Sequence, residues 1–176
     1  MNGVYSALEA RANEFTGLRV PEEEIARLRQ VIPPGPLDWL LLVFARFPIC
    51  GVRMAFSIDP RGLAREPRSG FPGTYESNVD HDFAWMRPDH VLFHVLESAA
   101  GPAAFHAGFL PVGESVFGGD PYFIRFSESA CEAVLYRVYY DWIEPDSPVP
   151  VPSEAFAIVA RSLEDVIKVA AINYKG

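Results

Sequence analysis

The sequence predicts an α+β domain: helices first, then a central mixed β-sheet, then a closing C-terminal helix. Three observations predict it. Before Gly51 the apolar residues recur at helical spacing and are broken by glycine and proline. After Gly51 most segments alternate with period two. Helices and strands also do not take turns along the chain, as they would in a doubly wound sheet. One stretch organises the rest, FLPVGESVFGGDPYFIRF from Phe109 to Phe126. It predicts a strand over Phe109 to Val112, then a tight connection carrying Gly113, Gly118 and Gly119 and closed by Asp120 and Pro121. From Tyr122 a half-buried strand follows, with Tyr122, Ile124 and Phe126 on one side and Phe123 and Arg125 on the other.

In chain order, Val4 to Phe15 predicts an amphipathic helix, with Val4, Leu8, Ala12 and Phe15 on one face and Gly17 ending it. Pro21 opens a second helix. Its first turn holds Glu22, Glu23 and Glu24, where the helix dipole favours negative charge, and its stripe is Ile25, Leu28 and Ile32. Pro33 and Pro34 stop it. The run PLDWLLLVFARF starts a third helix, apolar nearly all round and therefore buried, which Pro48 and Gly51 end. In VRMAFSID, Val52, Met54, Phe56 and Ile58 alternate with polar or small residues, which reads as a strand. Pro60 to Asn78 is a loop rich in Gly, Pro and Arg, long for a compact domain. Phe83 to Trp85 reads as a short strand, and Pro88 and Asp89 start a helix through about Glu97 that Ser98 to Pro102 close.

Ala133 to Trp142 is a second strong strand. Val134, Tyr136, Val138, Tyr140 and Trp142 face one way, and Leu135, Arg137, Tyr139 and Asp141 the other. Pro145, Pro148, Pro150 and Pro152 make an extended linker that cannot sit inside a sheet. Ala155 to Ala160 is a final strand. Ser162 with Asp165 then begins the last helix, striped by Leu163, Val166, Ile167 and Ala170.

The length of 176 residues fits one domain over 1–176, and 49% hydrophobic residues make the chain globular. Cys50 and Cys131 give neither a disulfide framework nor a metal spacing, so they read as reduced thiols of a cytoplasmic protein. The beginning MNGVYSALEA carries no secretory signal, and the longest apolar run, Trp39 to Ala45, is too short to span a membrane. Net charge is −8, and its placement matters more than its size. Between Glu76 and Asp146 twelve acids stand against Arg87, Arg125 and Arg137. That balance argues against nucleic acid, which needs clustered Lys and Arg, and suits a basic partner.

No stretch amounts to a catalytic signature. His90 and His94 stand four apart in DHVLFH, a spacing zinc sites use, but Val91 replaces the Glu that follows the first His in that motif. Asp80, His81 and Asp82 could complete a cluster with them, which would make a small metal-dependent hydrolase. Against this, the sequence places no third ligand with them, and the expectation is no metal and no cofactor. Gly113 to Gly119 is followed by a strand, not a helix, so it is a turn and not a phosphate cradle. Ser115, Cys50 and Cys131 have no neighbouring base in the sequence to activate them.

Four segments in order resemble the SUKH superfamily of Smi/Knr-type cell-wall regulators and bacterial toxin-immunity proteins. They are EEEIARLRQVIPPGPLDWLL, FLPVGESVFGGDPYFIRFS, VLYRVYYD and IVARSLEDVIKVA, which together span about Pro21 to Ala170. The long Pro60 to Asn78 loop, the helix around His90, and Arg125 depart from the family pattern. The resemblance implies an α+β fold and a binding role rather than an enzyme, with a cognate protein toxin as partner. The acidic middle would then meet a basic toxin surface, and the expected contact residues are Asp120, Glu128, Tyr139, Asp141 and Glu144.

Overall fold

A computed structural model describes residues 2–31, 35–57, 73–76, 80–98, 101–126, 133–139, 143 and 153–174. The first helices are α1 (Asn2–Ala10), α2 (Glu22–Val31) and α3 (Pro36–Arg46). They are followed by β1 (Val52–Ser57), β2 (Thr74–Tyr75), β3 (Asp80–Trp85), α4 (Pro88–Leu96) and α5 (Gly101–His106). Then come β4 (Phe109–Ser115), β5 (Pro121–Phe126), β6 (Ala133–Val138), β7 (Phe156–Ala160), α6 (Leu163–Val169) and β8 (Ala171–Tyr174). The strands form one sheet in the order β2-β7-β6-β5-β4-β3-β1-β8. Every pair is antiparallel except β2 with β7, so the sheet is mixed and the class is α+β. The Phe109 to Phe126 stretch supplies β4 and β5, the middle of that order.

β5 and β6 are sheet neighbours, with Ile124 opposite Leu135 and Phe123 opposite Tyr136. Alternation sends Tyr122, Ile124 and Leu135 into the larger core beneath α1, α2, α3 and α6, and Phe123, Val134, Tyr136 and Val138 into a second core. The middle of the sheet is therefore covered on both faces, not half-buried as the pattern implied. Ala104 of α5 lies in the second core. α4 touches both, because Val91 and Val95 belong to the larger core while the His94 ring meets Phe123, 6.5 Å between centroids.

Several expectations are corrected. α1 stops at Ala10, short of Phe15, and the chain tightens into a 3₁₀ turn over Ala12–Glu14. Between them Arg11 donates to the carbonyls of Ile167 and Ala170 at 2.7 and 2.6 Å, satisfying groups at the end of α6 that the helix itself leaves open. Ser98 to Pro102 closes nothing for long, since Gly101 and Pro102 start α5; proline suits a first helical turn. β3 begins at Asp80, so Asp80, His81 and Asp82 are strand rather than loop. Gly113 and Ser115 lie within β4, not in the connection. A Cβ at Gly113 would stand 2.2 Å from Phe83 Cδ2, so a strand crossing that ring has room there only for glycine. β2 occupies Thr74–Tyr75 inside the expected Pro60 to Asn78 loop, whose other described residues are 73 and 76. Residues 140–142 and the prolines from Pro145 to Pro152 lie outside the described residues.

Candidate functional site

At one end of the sheet, adjacent strands bring four side chains onto one face. Phe56 of β1 lies opposite His81 of β3, and Tyr122 of β5 lies opposite Arg137 of β6. Period-two alternation does this without any further instruction from the chain. His81 is 5% exposed, stacks on Phe56 at 5.2 Å, and holds Nδ1 3.3 Å from the Tyr122 hydroxyl. At these strand ends opens a cleft of about 750 Å³, also lined by Ser57, Asp80, Asp82, Ser115, Phe117 and Gly118.

The lip of the cleft is the β4–β5 turn. Its backbone is tied down from both sides: Ser115 N–H donates to the Asp120 carbonyl at 2.9 Å, and Val116 N–H to the Asp82 carbonyl at 3.2 Å. Gly118 N–H donates to Ser115 Oγ at 3.2 Å, and Gly119 takes φ +72°, which a side chain would resist. On this fixed turn Phe117 stands 82% exposed. The Arg53 guanidinium packs against its ring, 5.2 Å from the centroid.

The charges nearby are largely matched. Arg53 Nε donates to Asp82 Oδ1 at 2.6 Å and its Nη2 to Oδ2, a two-pronged pair. Arg137 Nη2 donates to Asp120 Oδ2 at 2.7 Å and its guanidinium covers the Tyr139 ring. The Tyr139 hydroxyl donates to Glu76, itself 6% exposed. Burial pushes the Tyr122 hydroxyl up to about 12; Arg137 pulls it down, while Glu76, Asp120 and Asp82 push it further up. Tyr139 is raised too, by burial first and then by the hydrogen bond it donates to Glu76, which holds the proton on the tyrosine.

Asp120 and Tyr139 are thus brought together, on either side of Arg137. Asp120 is not the free surface acid expected of it: its side chain is 23% exposed and paired. Glu128, Asp141 and Glu144 lie outside the described residues. The His81-Asp82 dipeptide is split by the strand it sits in, His81 turning to Tyr122 and Asp82 to Arg53 on the opposite face. His90 and His94 meet neither of them and converge instead on Glu114. His90 Nδ1 and His94 Nε2 stand 3.0 and 3.1 Å from Glu114 Oε1. Among the described residues there is no group of three or more His, Cys, Asp or Glu that could hold a metal ion. Cys50 is buried, which pushes its thiol up to about 12, with Arg87 drawing it down. No helix is long and apolar enough to cross a membrane, among the described residues.

The chain matches no protein-family model, no curated protein and no solved structure.

What the site can do follows from its own geometry. Sequence reasoning missed Phe117, Arg53, His81 and Arg137 as one site. The available signal was Phe117 itself, a large apolar residue in a glycine-rich turn where polar residues usually stand.

Proposed function

We propose that this chain is a protein-binding module whose contact surface is the cleft and its Phe117 lip, and that it acts as an immunity protein which binds and neutralises a cognate bacterial toxin. The observation that supports binding is Phe117, 82% exposed on a turn fixed by four backbone and side-chain constraints. An aromatic side chain held out beside a cleft contributes nothing to the core. It can bury a large apolar area on a partner with little loss of conformational freedom. The pairs beneath it, Arg53 with Asp82 and Arg137 with Asp120, set the shape before any partner arrives, which lowers the cost of association. The immunity role rests on the resemblance of the four sequence segments to the SUKH superfamily, together with the acidity of the chain.

The test is calorimetric titration of any toxin domain found encoded beside this chain with the wild type, Phe117→Ala and Phe117→Asp. Each variant is expected to weaken binding by roughly tenfold or more, with melting temperature unchanged because Phe117 is outside the core. No binding to the wild type, or equal binding by Phe117→Asp, contradicts the proposal.

A further inference from the structure

We infer that the cleft is a subsite for one arginine side chain of the partner, its guanidinium held by the Asp80 carboxylate and stacked on the open face of the Phe117 ring. This rests on the protein-binding reading above and goes beyond it in naming the chemistry of the contact.

The charge distribution supports it. Seven of the acids between Glu76 and Asp146 are among the described residues. Five have polar partners: Glu76 with Tyr139, Asp82 with Arg53, Asp89 with Arg87, Glu114 with His90 and His94, and Asp120 with Arg137. The side chains of Asp80 and Glu97 have neither a hydrogen bond nor an ion pair among the described residues. Of these two, Asp80 lines the cleft. Among the described residues Arg137 on the cleft lining and Arg53 beside Phe117 are each matched by an aspartate, so neither presents an unbalanced charge to an incoming cation. A carboxylate left without a counter-charge, in a concave site with an aromatic wall, is complementary to a cation.

Shape supports arginine over lysine. Arg53 already packs against the Phe117 ring, showing that a guanidinium fits its face. With 82% of Phe117 exposed, the ring's other face is open to a second guanidinium. A planar guanidinium can stack there and direct its N–H groups at a carboxylate together, which a lysine ammonium cannot do. The Ser57 hydroxyl, also on the cleft lining, can accept from the same group.

The experiment uses the ¹⁵N-labelled full chain titrated with acetyl-Gly-Arg-Gly-amide, and separately with the same peptide carrying citrulline, which keeps the shape and loses the charge. The arginine peptide is expected to shift the amides of Val116, Phe117, Gly118 and Tyr122 saturably, and the citrulline peptide is not. Asp80→Asn and Phe117→Leu should each weaken the arginine peptide by roughly tenfold. Equal response to both peptides, no response at these amides, or insensitivity to Asp80→Asn overturns the inference. The two proposals fail separately. A toxin that binds through Phe117 but ignores Asp80→Asn removes the arginine subsite alone. A chain that binds the arginine peptide here but binds no toxin domain removes the immunity reading alone.

Discussion

At the scale of single residues, burial and pairing decide more than residue type. Tyr136 is fully buried and its hydroxyl has no hydrogen-bond partner among the described residues. Its ring is well used, edge-on to Phe109 at 5.0 Å and to Phe156 at 6.2 Å, and burial raises its pKa. Tyr136→Phe keeps the ring and removes an unsatisfied polar atom, so thermal unfolding should show stability unchanged or higher by about 1 kcal/mol. Glu114 behaves oppositely. Its hydrogen bond to His94 holds its carboxyl below the ordinary range against the upward push of burial, and His90 adds to the lowering. A carboxylate depressed in this way contributes stability that is complete above its unfolded pKa, ~4.3, and is lost as pH falls through the lowered value. Melting curves from about pH 6 to about pH 3 should therefore fall less steeply for Glu114→Gln than for the wild type. Neither effect was legible in the sequence. The spacing of His90 and His94 put them on one helix face, but the carboxylate they share comes from β4, twenty residues from His94. Asp120 and Tyr139 both pack against Arg137, which the sequence offered only as part of a strand pattern.

At the scale of elements, local rules were most readable where they act within a few residues. Ser162 was expected to start the last helix, and its Oγ accepts the Asp165 N–H at 3.2 Å. Ser162→Ala should lower stability by about 1 kcal/mol in chemical denaturation. What failed were elements fixed by distant neighbours. β8 is four residues long, too short for period two to be seen, and exists because β1 offers Val52 to Ala55 as an edge to pair with. β4 runs through Gly113 because the Phe83 ring leaves room there only for glycine. Gly113→Ala should consequently cost about 1–3 kcal/mol, a penalty of overpacking, and be milder than a branched residue at the same place. The register shift between Pro111 and Gly113 marks the same crowded crossing.

At the scale of the whole molecule, the alternation that predicted the sheet also assigned its faces. Tyr122 and Ile124 separate from Phe123, and Leu135 from Val134 and Tyr136, as the sequence pattern required. The sequence did not reveal that both faces are covered, because apolar residues on both sides of a strand read equally as a short buried run. Nor did it place β7 next to one edge of the sheet and β8 at the other edge, joined by α6 across the larger core. That arrangement leaves the strand ends near Phe56, His81, Tyr122 and Arg137 as the place where a cleft opens. Among the described residues the cleft holds one acid whose side chain has no polar partner, Asp80, beside the exposed Phe117. Hydrogen exchange of the chain, free and bound to the toxin domain proposed as its partner, tests this most directly. Protection on binding should concentrate in Val116 to Gly119 and at the cleft ends of β3 and β5, leaving α4 unchanged. Protection centred on α4 or another surface, with the β4–β5 turn exchanging as in the free chain, would contradict it.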